Sequence, residues 1–204
     1  NISLANKGAD FEVLGNELLL SNGKGKSYGL EFLYQQKLQN NFYGIFSYTF
    51  FFSEFSNLDN IYLPSVWDNR HLISFTGGYK LKKNWEISSK LRYTGNTPYA
   101  PVDTASSSLS YPEIIFDYSQ LGNYFLQSFT KLDLRVDKRW NFKSTSMNFY
   151  IDIENLLGNE IPIPPEYGLS RDERQNIIMP INLIEVESDN RNSVIPSIGF
   201  VFYF

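Results

Sequence analysis

The feature that most constrains this chain is a strict alternation of apolar and polar residues along one segment, 129–142 (FTKLDLRVDKRWNF). Its apolar residues would share one face of a strand: Leu132, Leu134, Val136, Trp140 and Phe142. Its charged residues would share the other: Lys131, Asp133, Arg135, Asp137 and Arg139. Because successive side chains of a strand point to opposite faces, the segment is predicted to be a strand with one apolar and one charged side.

The same period-two pattern recurs in six further segments, which are 27–38, 42–53, 70–81, 85–95, 147–154 and 194–204. The sequence therefore predicts seven strands of about 10 to 14 residues, against the usual five or six. Short connections at 39–41, 82–84 and 143–145 alternate with long ones at 54–69, 96–128 and 157–193. Residues 1–26 are interpreted as part of a fourth long loop. Short turns at one end and long loops at the other are typical of outer-membrane β-barrels.

Composition excludes several protein classes. The chain holds 17 Phe, 14 Tyr and 3 Trp, yet its mean hydropathy is −0.30. No apolar run approaches the roughly 18 residues of a transmembrane helix, and 42% hydrophobic residues argue against disorder. A net charge of −4 and a pI near 5.1 argue against a nucleic-acid partner. Without cysteine, thiol catalysis and cysteine-based zinc sites are excluded.

The charged face of segment 129–142 cannot line a dry core, so we expect it to meet water or a polar plug. In lipid, a sheet satisfies its backbone polar groups only as a closed barrel with an apolar outer face and aromatic girdles. Four aromatic residues beside the short turns are the predicted girdle: Phe42, Trp85, Trp140 and Phe142. A secreted β-sandwich or soluble barrel is the alternative, and the long strands, aromatic content and loop asymmetry count against it.

The chain offers few candidates for catalysis. Asp152 and Glu154 share a strand face at i, i+2 spacing, which suits acid–base or metal-binding chemistry. They suit equally a solvated wall that is ion-paired to Arg135 or Arg139 across the hairpin. The single histidine, His71, lies near Ser65 and Asp68 without a nucleophile elbow or oxyanion hole. We predict no catalytic residue, metal site or cofactor.

The long loops hold the candidate ligand contacts. Tyrosines cluster in the loop 96–128 and would form an aromatic platform: Tyr99, Tyr111, Tyr118 and Tyr124. Packing of these rings within the loop is an equal alternative. The charged run at 171–174 is open to two interpretations, a solvated loop or contact with a ligand or a surface lipoprotein.

Several stretches in a fixed order carry a family resemblance. They are 64–71 (PSVWDNRH), 93–101 (YTGNTPYAP), 131–142 (KLDLRVDKRWNF) and 153–159 (IENLLGN). The chain then ends with apolar residues at every second position, Ile198, Phe200, Phe202 and Phe204. Together these features, which span nearly the whole chain, resemble the C-terminal end of TonB-dependent outer-membrane receptors of the kind abundant in Bacteroidetes.

The resemblance implies an all-β fold, an antiparallel transmembrane barrel of 22 strands with a plugged lumen, of which this chain would supply about the last seven. It implies TonB-dependent uptake of a siderophore, cobalamin, glycan or peptide, in the outer membrane of a Gram-negative bacterium. The terminal aromatic pattern would be read by the barrel-assembly machinery. The charged strand faces would contact plug or solute.

The orientation and the missing parts follow from the same resemblance. The short turns would lie in the periplasm and the long loops outside the cell. A plug and a TonB box are expected upstream of Asn1, so that the TonB complex would be contacted through segments outside this chain. A passive porin-like or adhesin-like barrel, and an outer-membrane enzyme using His71, are the alternatives.

Overall fold

The computed structural model describes residues 23–56, 60–186 and 193–204. Its strands run as follows: β1 Gly25–Gln39, β2 Phe42–Ser56, β3 Tyr62–Pro64, β4 His71–Leu81, β5 Trp85–Thr94, β6 Phe129–Asn141, β7 Ser146–Glu154, β8 Glu166–Leu169, β9 Leu183–Val186 and β10 Ile195–Tyr203. The main sheet is antiparallel in the order β1-β2-β4-β5-β6-β7-β10, with β3 added to the end of β2. β8 and β9 form a separate hairpin. The all-β antiparallel prediction is confirmed.

The register of the sheet places mainly apolar residues on one face and mainly polar residues on the other, with Ile45 and Val201 on the polar face and Lys138 on the apolar face. One row of cross-strand neighbours is apolar over six strands: Phe42, Tyr79, Ile87, Val136, Ile151 and Ile198. The adjacent row on the opposite face is polar: Lys80, Glu86, Asp137, Tyr150 and Gly199. We name these the apolar face and the charged face. Large side chains of the apolar face are exposed, including Ile198 at 67%.

The short connections are turns that suit their residues. β1 and β2 are joined by Asn40 and Asn41 alone, with φ of 52° and 66°. Positive φ at both central residues is the signature of the type I′ hairpin turn, and asparagine tolerates it. A 3₁₀ turn, Lys82–Asn84, joins β4 to β5. Residues 142–145 join β6 to β7, closed by the Phe142 amide donating to the Thr145 carbonyl at 2.8 Å.

The long connections contain regular structure that the sequence analysis missed. β2 runs to Ser56, three residues beyond the predicted end, because β3 pairs with it. A short helix, α1, spans Thr104–Ser110 and the hairpin β8–β9 lies within 157–193. None of the helices in the described ranges is long and apolar enough to cross a membrane. Most of the predicted N-terminal loop, residues 1–22, lies outside the described residues.

The best-buried apolar side chains all lie at the long-loop end of the molecule. They are Phe55, Leu121 and Leu183, each at most 5% exposed. The main sheet itself, over the residues described, is not covered by a second layer and ends in two strands, β1 and β10, that each have one strand neighbour. The packed part of the structure is therefore a cap at one end of an open, two-faced sheet.

Candidate functional site

The charged face of β6 and β7 forms a continuous polar surface, which we name the charged wall. It contains every lumen-facing residue predicted from the sequence: Lys131, Asp133, Arg135, Asp137, Arg139, Asp152 and Glu154. At its long-loop edge, Lys131 Nζ lies 3.0 Å from Glu154 Oε2 and 3.6 Å from Asp133 Oδ1. Asp133 also accepts the Asn155 amide at 3.0 Å. One lysine thus links carboxylates of two strands.

Arg135 is the centre of the wall. Its Nε and Nη2 atoms donate to the two carboxylate oxygens of Asp137, each at 2.9 Å. Its guanidinium carbon lies 3.8 Å from the ring centre of Tyr150, and Nη1 lies 4.0 Å from Asp152. Asn148 adds a hydrogen bond to Asp137 at 2.7 Å. A bidentate pair held by a ring and an amide is a rigid arrangement.

Arg139 continues the wall toward the short turns. It donates to Asn141 Oδ1 at 3.1 Å and to Ser146 Oγ at 3.0 Å. Its guanidinium lies 5.3 Å from the ring centre of Tyr203 on β10. Tyr43 and Glu86 hydrogen-bond on the same face, which extends the polar surface to β2 and β5.

The two carboxylates at i, i+2 spacing are each paired with a basic side chain. Asp152 faces Arg135 and Glu154 pairs with Lys131, so neither stands free for acid–base work. Among the described residues no group of three or more His, Cys, Asp or Glu side chains is arranged to hold a metal ion. The geometry of these residues is that of an ion-paired polar surface and not of an acid–base or metal-binding site.

Two basic residues of the charged face were missed as site candidates. Lys90 and Arg92, on β5, line a 330 Å³ concavity together with the upper part of the charged wall. Within the described ranges neither forms an ion pair, whereas Lys131 beside them has two. The alternation in segment 85–95 contained the signal, because it places both residues opposite Trp85 and Leu91.

A second concavity, the loop pocket, lies among the long loops. It has a volume of about 680 Å³ and is lined by side chains from segments 66–67, 97–102, 114–126 and 163–167. Two of the four predicted tyrosines, Tyr99 and Tyr118, line it, and Tyr124 packs against Tyr99 with ring centres 6.0 Å apart. Tyr111 does not line it. The sequence analysis missed Trp67, Glu166 and Tyr167, because no local pattern links these distant segments.

Backbone hydrogen bonds hold the walls of the loop pocket in place. Residues 97–126 fold back on themselves: the Tyr99 amide donates to the Tyr124 carbonyl at 3.1 Å, and Leu126 to Thr97 at 2.8 Å. The β8–β9 hairpin is attached to α1 by the Leu183 amide, which donates to Ser108 Oγ at 3.2 Å. A pocket built on such fixed backbone is preformed.

Two tyrosines of this pocket have a raised pKa because they are partly buried. Loss of solvent raises the pKa of Tyr99, and the neighbouring Tyr167 and Glu185 raise it further. Burial also raises the pKa of Tyr167, and Glu185 adds to the effect. Both phenols are therefore neutral over the physiological range and present uncharged rings and hydroxyl groups to the cavity.

His71, Ser65 and Asp68 do not form a catalytic arrangement. His71 Nδ1 lies 2.9 Å from the Tyr48 hydroxyl, and Ser65 Oγ donates to Ser53 Oγ at 2.9 Å. The fully buried Asp68 is paired with Arg70 at 3.0 Å. Burial raises the pKa of Asp68, while Arg70 opposes that shift.

The predicted girdle residues lie at the short-turn end of the sheet. Phe42 begins β2, Trp85 begins β5, Trp140 is near the end of β6 and Phe142 follows it. Lys138 Nζ lies between two of them, 5.3 Å from the Trp85 ring and 5.6 Å from the Trp140 ring. An alkyl stem along the apolar face with its ammonium at the edge is the arrangement described as snorkelling.

The C-terminal pattern lies on the apolar face. Ile198, Phe200 and Phe202 stand opposite Ile151, Phe149 and Met147 of β7. The rings of Phe149 and Phe200 are 5.1 Å apart. Phe204 follows β10 and is fully exposed.

Neither family models nor curated proteins gave a match to the chain. Among solved structures, the chain is similar to the ferripyoverdine receptor of the outer membrane of Pseudomonas aeruginosa bound to ferripyoverdine. The identity is 13%, the TM-score 0.49, and the match covers 87% of this chain and 19% of the other. The chain thus spans about a fifth of the length of that receptor.

Proposed function

We propose that this chain forms the last seven strands of a β-barrel receptor in the outer membrane of a Gram-negative bacterium. The observation that carries the proposal is the division of the sheet into a mainly apolar face and a mainly charged face. An apolar row from Phe42 to Ile198, exposed at five of its six positions and half-buried at Val136, runs beside a row with Lys80, Glu86 and Asp137. A soluble sheet would bury the apolar face, whereas a membrane barrel turns it toward lipid and its polar face inward.

The free edges of the sheet support a larger barrel. Strands β1 and β10 each lack a second neighbour among the described residues. Unpaired strand edges are not tolerated in lipid, because every backbone polar group must be satisfied. Further strands would therefore close the sheet, in line with the 22 strands implied by the resemblance. The barrel-assembly machinery would read Phe204 and the apolar residues before it.

The transport role rests on the resemblance and on the charged wall. We infer TonB-dependent uptake of a siderophore, cobalamin, glycan or peptide, with the wall in contact with a plug or with the passing solute. Lys90 and Arg92, which have no ion-pair partner in the described ranges, are available for an acidic group of that plug or solute. The short turns would face the periplasm and TonB would engage a segment outside this chain.

The dependence of uptake on TonB distinguishes the proposed receptor from a passive barrel. The full-length protein is expressed in a Gram-negative host, and growth on siderophores, cobalamin, glycans and peptides is compared with and without TonB. Growth that requires both the protein and TonB is expected for at least one class. Equal growth without TonB would favour a porin-like barrel and contradict energy coupling.

Assembly is tested at the C-terminus. Deletion of Phe204 is expected to reduce the amount of protein that fractionates with the outer membrane, since the terminal aromatic residue is lost. Substitution by another aromatic, Phe204→Trp, is the matched control and is expected to keep normal amounts. Unchanged assembly of the deletion variant would contradict the barrel assignment.

A further inference from the structure

The loop pocket has an electrostatic character that narrows its ligand. Its lining is mainly aromatic and aliphatic, with Trp67, Tyr99, Phe116, Tyr118 and Tyr167 among the rings. In the described part of the chain, Glu166 is the charged residue of that lining, and no lysine or arginine belongs to it. The charged wall, by contrast, has Lys90, Arg92 and Lys131 around its concavity. That concavity also contains Asp133, Asp152 and Glu154, so its charges are mixed, whereas the charge in the described lining of the loop pocket is acidic.

The acidic group of the pocket is available. Within the described part of the chain, Glu166 makes no hydrogen bond or ion pair with a side chain. Glu185 stands opposite Tyr167 in the β8–β9 hairpin and is close enough to Tyr99 and Tyr167 to raise the pKa of both. Glu166 therefore belongs to the lining and Glu185 lies beside it, both at exposed positions, and among the described residues no lysine or arginine of the lining neutralises them.

Aromatic rings around a cavity attract cations as well as apolar groups. The negative face of each ring favours an ammonium or a similar charge, and the preference grows when water is excluded. A carboxylate or phosphate in the same place would meet the ring faces and two acidic residues. The volume of about 680 Å³ lies in the range of pockets that take a drug-sized molecule.

We propose that the loop pocket binds a flat apolar or aromatic group that carries a positively charged nitrogen, with Glu166 as the counter-charge and the tyrosines as the surrounding wall. The inference rests on the proposed receptor function only for its biological meaning, because it names the class of substrate taken up from outside the cell. The binding itself concerns one cavity and does not require TonB.

The pocket is fixed in advance, which makes selection by charge effective. Pro98 is fully buried and Leu121 is 2% exposed, and both line the cavity from the folded-back loop 97–126. The turn before β4 contributes Val66 and Trp67, and Thr97 is tied to it by a hydrogen bond to Asn69. A preformed site loses little conformational entropy on binding. Differences in the charge of the ligand are therefore expected to appear directly as differences in affinity.

The test uses the native, full-length protein in detergent and three probes of equal ring size: benzyltrimethylammonium, benzyl alcohol and benzenesulfonate. Titration calorimetry is expected to give an affinity for the cation about tenfold or more above that for the sulfonate, from cation–π and carboxylate attraction. The alcohol is expected to fall between them. Equal or tighter binding of the sulfonate would overturn the proposal.

Two variants place the binding in this pocket. Glu166→Gln removes the counter-charge and is expected to reduce the cation's advantage over the alcohol severalfold. Ala100→Trp places an indole ring in the cavity and is expected to weaken the binding of both probes. The control is Glu173→Gln, which removes an exposed loop carboxylate outside the lining. An unchanged affinity for the cation in both pocket variants would refute the assignment, provided that circular dichroism shows both variants to be folded.

The experiment also separates this inference from the proposed function. If cation binding follows the expected pattern but uptake does not depend on TonB, the receptor role fails and the pocket stands. If uptake depends on TonB and the wild-type protein shows no preference for the cation, the pocket inference fails and the receptor role stands.

Discussion

The main sheet and the long-loop end of this molecule are held together in different ways. In the sheet, order comes from backbone pairing of long strands, and both faces are largely exposed within the chain. At the long-loop end, order comes from buried apolar side chains such as Leu121 and Leu183, and from local hydrogen bonds such as Ser107 Oγ to the Ile115 carbonyl. The sheet therefore needs its environment, whereas the loop end supplies its own core.

The same contrast separates the two concavities. The charged wall lies on the sheet and is a chain of ion pairs within β6 and between β6 and β7, centred on Arg135 and Asp137. The loop pocket lies at the long-loop end and is an aromatic cavity with one acid, Glu166, that has no ion pair among the described residues. One region presents fixed, balanced charge along a path, and the other presents a shaped cavity.

The largest effect is expected when a charge is added to the apolar face. Ile198→Lys puts an ammonium in the apolar row of β10, where lipid contact would cost about 2 to 4 kcal/mol near the bilayer midplane. Ser197→Lys places the same charge one residue earlier, on the charged face. Folding into lipid vesicles, followed by the heat-dependent gel shift of barrels, is expected to fail or weaken for the first variant only.

Equal folding of the two lysine variants would break the distinction between the faces. If both fold as well as wild type, the apolar face does not meet lipid. If both fail, the charged face is buried against an apolar partner and the barrel orientation is wrong.

The second prediction concerns the core of the loop end. Leu121→Ala removes most of a buried side chain, for which a destabilisation of about 2 to 5 kcal/mol is typical. We expect the loss to remain local: faster hydrogen exchange across 97–126 with unchanged protection in the sheet. Leu109→Ala, at a residue 91% exposed, is the control and is expected to have no effect. Loss of protection in β6 and β7 would show that the two regions are not independent.

The sequence predicted the sheet well and the loop end poorly, for physical reasons. Alternation depends only on the two-residue period of a strand, so Trp85, Val136 and Ile198 could be assigned to one face without knowing their neighbours. The pocket depends on contacts between segments as distant as Trp67 and Tyr167, which no local pattern encodes.

Some of the local structure could have been found. Asp103 followed by Thr104 and Ser106 is a signal for the start of a helix, which α1 confirms. The hairpin β8–β9 is harder to find, because four-residue strands give too short a pattern.

The third prediction tests the charged wall. Asp137→Ala leaves Arg135 without its bidentate partner and Asn148 without an acceptor. The pair is partly exposed, so we expect about 1 kcal/mol of lost stability in urea unfolding, reduced by screening from water. Glu31→Ala removes a charged-face carboxylate that has no ion pair in the described ranges, and is expected to be neutral. A double-mutant cycle with Arg135→Ala should show coupling, and its absence would mean that the wall is only a solvated surface.

The smallest effect is expected at the cap of α1. Asp103 accepts from the Ser106 amide at 3.0 Å and from its hydroxyl at 2.6 Å, and these bonds lower the pKa of the Asp103 carboxyl. Asp103→Ala is expected to speed hydrogen exchange of the α1 amides roughly fivefold, as loss of an N-cap does. The sheet and the charged wall should not respond.

The pH dependence of this cap has a definite sign. Because the folded pKa is depressed, the cap stabilises α1 above the ordinary carboxyl pKa of about 4, and this contribution is lost as the pH falls through the lowered value. The Ser106 amide shift in an NMR titration should therefore move below the ordinary carboxyl range in the wild type and stay constant in Asp103→Asn, which keeps the capping oxygen without the titrating proton. A shift that persists in Asp103→Asn would assign the effect to another group. If α1 instead melts together with the sheet, the long-loop end and the sheet form one cooperative unit. That result would contradict the independence of the two regions.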